Sequence, residues 1–330
     1  MKSKLRLAKI RFVVPALVPI GLAASGAVAA QDYPVRPIRI VVPFVAGGGT
    51  DLLARTLAQK FNEAWGQPAI VDNRSGGTGA VGSVLVAQAA PDGYTLLLAT
   101  SSTHAISPNF FRKPPFHPIT EFAAVSLAAV APEIVVAHPS VSATSIKELV
   151  ALAKTKPGTL NYASPGTGTI GNMTGELFKL VTGTTITHIP YKGSGAAMRD
   201  LLGGQVQLMF SGPSGMLQHI RAGKLKALGV AARARMTELK DVPTLAESGY
   251  PAIEASNWYA VLTSAGTPMP VIQKINTEIV RAMKLPDIRE MLIRQGYEAK
   301  SSTPAELAAL MKEDLAKWNK VVKSSGMQVD

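Results

Sequence analysis

The sequence predicts an α/β protein of two units, each a mainly parallel sheet flanked by helices. Three observations carry this. Short apolar runs alternate with amphipathic stretches, glycine turns repeatedly join one to the other, and the alternation restarts past residue 131. A chain of 330 residues is also of the size at which one core divides into two.

In order, "IRIVVPF" (38–44) reads as a buried strand. Gly47, Gly48 and Gly49 follow it, and Thr50 or Asp51 is placed to cap a helix whose stripe is Leu53, Leu57 and Phe61 and whose end is Gly66. "AIVDN" (69–73) is the second strand; the loop "RSGGTGAVG" leads into a small-residue helix to Ala90, and "YTLLLAT" (94–100) closes a βαβαβ run. "EIVVAH" (133–138) is another strand, and Ser145 with Glu148 forms a capping box for the helix through Lys154. Strand "LNYAS" (160–164), a helix near 172–181, "THIPYKG" (187–193), a helix through Leu202 and "QVQLMFS" (205–211) make the second unit. The tail is helical: Ile272, Ile275, Ile279 and Met283 share a face, Gly296 ends a short helix, and Thr303-Pro304-x-Glu306 opens the last one. The chain is expected to leave the first unit near Ala131 and return near Trp258.

Residues 1–30 carry five basic side chains, then an apolar stretch ending in small residues, the pattern of a secretory signal cut after Ala30. A retained anchor is the alternative, disfavoured by Pro15 and Pro19. With no cysteine, neither a lipidated cut site nor a disulfide is available. The formal charge of +12 falls to +7 once the leader is removed, leaving 29 basic against 22 acidic residues. Those charges are scattered without interleaved aromatics, so a solvated surface is the reading and nucleic acid is not a partner.

"GTGTIG" (166–171) matches a dinucleotide fingerprint, but the acidic residue expected about 20 positions on is missing and Lys192 stands in that stretch. "GGGTD" has no lysine for a phosphate loop, no G-x-S-x-G occurs, and the five histidines lack paired metal-ligand spacing. No cofactor and no metal are expected. The "TSSTH" loop, with Ser101, Ser102, Thr103 and His104, stands at a strand's carboxyl end, where open α/β sheets bind ligands; turn and capping chemistry is its plainer explanation. The loops hold backbone donors and hydroxyls, with Asp51 their one carboxylate and no evident nucleophile–base pair. The first glycine turn is an anion cradle, open on these grounds to a nucleotide phosphate, a carboxylate or nothing.

"PFVAGGGTD", "NRSGGTGAVG", "AAPDGYTLLLATSSTH", "LNYASPGTGT", "HIPYKGSGAAMRDLLGGQVQLMF", "AGKLKALGVA" and "DVPTLAESGYP" occur in that order. Together they resemble the Bug family, extracytoplasmic receptors of tripartite tricarboxylate transporters, over essentially the whole mature chain. The resemblance implies a two-domain periplasmic binding protein (type II, Venus-flytrap) with domain 1 at 31–131 and 253–330, domain 2 at 132–252, and a ligand cleft between them. It implies no catalysis, and as ligand a small organic acid: a di- or tricarboxylate or an aromatic carboxylate. Partners would be the large and small membrane subunits of a permease, or instead a membrane sensor, and the receptor would be monomeric and periplasmic. An exported hydrolase using Ser164 or Ser194 with His104 is the rival class.

Carried over by position, Pro43, Phe44, Gly47, Gly48 and Asp51 with Ser101, Ser102, Thr103 and His104 would line one lobe, and Gly49 and Thr50 in the same turn are expected beside them. Ser164, Gly166, Thr167, Gly168, Thr169, Tyr191, Lys192, Gly193, Ser194 and Ser211 would line the other. Ser211 stands where many relatives carry Asp, which favours a plain organic acid over an amino acid. The expected donors are the amides near Gly48 to Thr50 and, across the cleft, Thr167 to Thr169.

Overall fold

The computed structural model describes residues 33–325; the leader expected at 1–30 lies outside the described residues. The chain opens with β1 (Ile38–Val42), α1 (Gly49–Trp65), β2 (Ala69–Asn73), α2 (Ala80–Ala87), β3 (Thr95–Thr100) and β4 (Phe122–Pro132). A second group follows: β5 (Ile134–Ala137), α3 (Ile146–Thr155), β6 (Asn161–Ser164), α4 (Ile170–Thr182), β7 (Thr187–Pro190), α5 (Ser194–Leu202), β8 (Leu208–Ser211), α6 (Leu217–Arg221) and β9 (Lys226–Val230). The chain ends through β10 (Ser256–Ser264), α7 (Met269–Lys284), α8 (Pro286–Arg294), β11 (Glu298–Ala299) and α9 (Pro304–Ser325). None of the described helices is long and apolar enough to cross a membrane.

Two sheets result, with orders β11-β4-β10-β3-β1-β2 and β7-β6-β8-β5-β9. The α/β architecture agrees with the sequence, but both sheets are mixed where mainly parallel ones were expected. β1 pairs in parallel with β2 and β3, whereas β10 runs antiparallel to β3 and β4. In the second sheet β6 is parallel to β7 and β8, while β5 is antiparallel to β8 and β9. Apart from the short β11, which also runs antiparallel to β4, the antiparallel strands are those next to the crossings. A strand that carries the chain into a sheet by a direct connection, without a crossover helix, is free to run against its neighbours.

At the crossing, one residue separates β4 from β5. The Glu133 amide donates to Ala255 O at 3.0 Å, and Glu133 O accepts from the Ala231 amide at 2.8 Å. Ser256 pairs with Pro132, so the returning strand begins two residues before Trp258. Three backbone segments thus run side by side where the chain changes sheets.

Local chemistry explains most helix ends. Ser145 Oγ accepts from the Glu148 amide at the start of α3, and α1 stops where Gly66 takes a left-handed φ of 64°. The apolar stripe of α7 (Val271, Ile272, Ile275, Ile279, Ala282 and Met283) is buried. Fully enclosed Phe61, Tyr162, Phe178, Phe210 and Trp318 anchor the packing, each worth roughly 1.5–3 kcal/mol on burial.

Candidate ligand cleft

One cavity of about 790 Å³ is lined from both sheets. Its walls are the turn after β1 (Pro43 to Thr50), the Ser75–Gly79 loop, the start of α4, the Tyr191–Ala196 segment and the turn after β8. Gly47, Gly48, Gly49, Thr50, Ser102, Gly166, Thr167, Thr169, Tyr191, Lys192, Gly193, Ser194 and Ser211 all line it.

The helix that follows β1 begins differently from the expectation. Gly48 is its N-cap and no side chain caps it, so neither Thr50 nor Asp51 has that role. Asp51, on the third helical residue, reaches back: its Oδ2 accepts from the Gly47 amide at 3.0 Å and from Arg55 Nε at 2.9 Å. Burial alone would raise the pKa of this carboxyl. Arg55, the Gly47 amide and Asn73 outweigh it and hold the group below the usual range. Asp51 therefore braces the turn and is not among the residues lining the cavity. The first intrahelical bond runs from the Leu52 amide to Gly48 O, at 3.0 Å, so the Gly49 and Thr50 amides lie ahead of it with no acceptor inside the helix.

Across the cavity the expected donors are largely engaged. The Gly168 amide donates to Asn172 Oδ1 at 3.1 Å, the Thr169 amide to Gly166 O at 3.3 Å, and the Ile170 amide to Ser102 Oγ at 3.1 Å. Thr169 Oγ1 caps α4 by accepting from the Asn172 amide. The unengaged terminus is that of α5. Its N-cap is Gly193, at φ 102°, again with no side-chain cap, and its first intrahelical bond joins the Ala197 amide to Gly193 O. Ser194, Gly195 and Ala196, whose amides precede that bond, all line the cavity. α2 also starts at a glycine cap on the cavity, Gly79, but the preceding turn takes up its first amides, Ala80 to Gly77 O and Val81 to Gly76 O. Two glycine-capped helix starts with unengaged amides, on α1 and α5, thus open on one space.

Several expected residues sit elsewhere. Ser101 Oγ donates to Asn257 Oδ1 at 2.6 Å and positions a lining residue. The stretch after β3, expected as a polar loop, is a wide helical turn over Ser102–Ile106 that is wholly buried. Within it Thr103 Oγ1 donates to Thr100 O, and His104 packs against Phe116 and Phe122. This enclosure pushes the His104 pKa down to about 3. Gly168 takes a left-handed φ of 75° in the turn before α4 and is not a lining residue.

Ser164 also lies behind the cavity wall. Its hydroxyl is 2.7 Å from His188 Nε2, with Asn172 Nδ2 3.3 Å from His188 Nδ1, an array that resembles a hydrolase triad. The donors run the wrong way. Ser164 Oγ donates to Gly166 O at 3.1 Å, and the Asn172 amide group faces Nδ1 as a donor, leaving the imidazole proton on Nε2. An imidazole protonated there cannot accept the serine proton, and burial holds its pKa down to about 4. His104, the expected partner of Ser164 or Ser194, is bonded to Thr103 instead.

Sequence reasoning missed Glu133, Arg199, Asn257, Tyr259 and Tyr297, all of which line the cavity. It also passed over the Ser75–Gly79 loop. There Thr78 adopts a positive φ of 52°, the sole non-glycine among the described residues to do so, and donates to Thr167 O at 3.3 Å.

Comparison with known proteins decides the family. The model of the tripartite tricarboxylate transporter family receptor matches residues 53–327. The chain belongs to that family. It is 36% identical to protein BugT of Bordetella pertussis, over 95% of this chain and 98% of that one. Its fold superposes on R. palustris Rpa4515 with adipate at a TM-score of 0.85, with 33% identity, 90% of this chain and 99% of the other. MatC from Rhodopseudomonas palustris with bound malate matches at 0.82, with 31% identity, 88% of this chain and 100% of the other. Membership makes this tripartite-transporter receptor a solute-binding protein rather than an enzyme, in keeping with the unproductive tautomer at His188.

Proposed function

We propose that this receptor captures a small organic acid with two anionic ends, one at the start of α1 and one at the start of α5, and closes its lobes over it. The carrying observation is the pair of glycine-capped helix starts that open on the same cavity. Helix N-termini favour anions through their unpaired amides and dipole. α3 and α4, by contrast, spend this capacity on their own side-chain caps. Lys192 and Arg199 add positive charge to the α5 side. The dicarboxylates named for the two structural relatives have two anionic ends.

Magnitudes support a two-sided grip. Micromolar affinity needs about 8 kcal/mol, and charge-assisted bonds give roughly 1.5–3 kcal/mol each before desolvation is subtracted. One turn alone falls short, so the ligand stabilises the closed arrangement. A cavity near 790 Å³ is large for a compact dicarboxylate and leaves room for bridging water.

The lobes in this proposal are 31–131 with 253–330, and 132–252. The receptor is exported, cut after Ala30, works as a periplasmic monomer, and hands its ligand to the large and small membrane subunits of a tripartite permease. A thermal-shift screen of organic acids tests the binding claim. Ligand at about 100 times its dissociation constant adds roughly 2.7 kcal/mol of stability, a clear shift. Shifts confined to nucleotides or neutral solutes would refute the carboxylate assignment.

A further inference from the structure

Glu133 occupies the single residue between β4 and β5, 1% exposed, and its carboxyl lines the cavity. Its Oε2 is enclosed and has no hydrogen-bond partner. No cation forms an ion pair with it among the described residues. A Cβ built on Gly171 would lie 3.2 Å from Oε2, and one on Gly212 3.7 Å from Oε1, so the carboxyl is wedged between the first turn of α4 and the turn after β8. Tyr259 on β10 and Tyr297 ahead of β11 are the titratable groups that feel its charge, and both have phenol pKa values raised by burial. Lys192 and Arg199 line the same cavity but form no pair with it.

An ionised carboxylate is costly in such a place, and more so when an anionic ligand enters the same cavity. A neutral carboxyl, by contrast, carries a hydrogen that an entering anion can accept. We propose that Glu133 keeps its proton when the ligand is bound and donates it as a hydrogen bond to one carboxylate of that ligand. This rests on the carboxylate reading of the cavity and adds a proton to it. Above the pH at which free Glu133 ionises, each binding event takes up one proton from solvent, while the ligand remains fully ionised. Burial raises the Glu133 pKa to about 8, which puts that onset within reach of experiment. His104 and His188, held neutral to about 3 and about 4, do not titrate there.

Calorimetric titration of the mature protein with malate and with adipate, from pH 6.5 to 9 in buffers of different ionisation enthalpy, tests this. The acid that binds is expected to hold its affinity up to pH 7 and to lose about tenfold per pH unit beyond about 8, taking up nearly one proton at pH 9. In Glu133→Gln an amide N–H replaces the carboxyl hydrogen. That variant should bind within several-fold of wild type at pH 6.5 and show neither slope nor proton uptake. An affinity flat to pH 9, or an equal slope in Glu133→Gln, overturns the inference and leaves the carboxylate reading standing. Loss of all binding in a folded Glu133→Gln, by circular dichroism, also overturns it, because an amide N–H would then fail to replace the hydrogen the carboxyl is said to donate. If neither acid binds wild type at any pH, the carboxylate reading fails and this inference with it.

Discussion

Ser102 Oγ accepts the Ile170 amide at 3.1 Å, joining the end of β3 to the first helical residue of α4. The two elements flank different sheets, and the bond between them is buried, so it ties the two halves of the fold to each other. Removing the hydroxyl leaves that amide without an acceptor and weakens the closed arrangement. Ser102→Ala is expected to lower ligand affinity about fivefold, roughly 1 kcal/mol, through a larger open population. Affinity by calorimetry and radius of gyration by small-angle scattering check this; wild-type values for both would show that the bond has no part in closure.

Proline substitutions separate the donor amides from the fold. Ser194 is the first residue of α5, where proline is tolerated because its missing N–H has no acceptor within the helix. Ser194→Pro removes one cavity-facing donor, and Thr50→Pro does the same on α1. Each is expected to weaken binding by about ten- to a hundredfold, the worth of a charge-assisted bond, with the melting temperature of the free protein changed little. Full affinity in both, with the fold intact, would remove the amide cradles from the account.

The sequence was legible where local chemistry decides structure. Glycine turns, the Ser145–Glu148 capping box and the α7 stripe are short-range signals that packing did not override. β4, "FAAVSLAAVAP", was not foreseen, since an alanine-rich run has neither a two-residue nor a helical period. The Thr100–His104 loop misled for another reason. Four hydroxyls and an imidazole look solvent-facing, yet Thr100, Thr103 and His104 Nδ1 bond to one another in the interior, and His104 Nε2 is enclosed without a partner. Glu133 gave no signal because a lone acid beside an apolar run reads as a strand boundary. Only the tertiary crossing encloses it. The α4 cradle failed similarly, since no sequence rule shows that Ser102 takes up the Ile170 amide.

Acid should weaken the fold through His104. Its folded pKa, about 3, lies below the ordinary value near 6.5, so between these limits the unfolded chain binds a proton that the folded one does not. Stability is present above pH 6.5 and is lost as pH falls towards 3, at up to about 1.4 kcal/mol per unit. Glu133 acts oppositely, because its raised pKa favours the folded state at low pH and costs stability as pH rises towards 8. The contribution of Glu133 cancels in a comparison of variants. His104→Phe, which keeps a ring beside Phe116 and Phe122, should show a shallower loss than wild type between pH 6 and 4 in urea melts. Parallel curves would mean that His104 is protonated in the folded state.

Thr78 sets stability against binding. A β-branched residue at φ 52° and ψ 38° is strained by about 1 kcal/mol or more, and glycine is not. The strain persists at the cavity wall, where the Thr78 hydroxyl reaches Thr167 O in the other lobe. Thr78→Gly relieves the backbone but deletes this link and adds chain entropy to a loop that already holds Gly76, Gly77 and Gly79. The free protein should melt at the same temperature or slightly higher, while affinity falls about three- to tenfold, the worth of one neutral hydrogen bond. A variant that melts several degrees lower with unaltered affinity would show that the strained turn serves the fold alone.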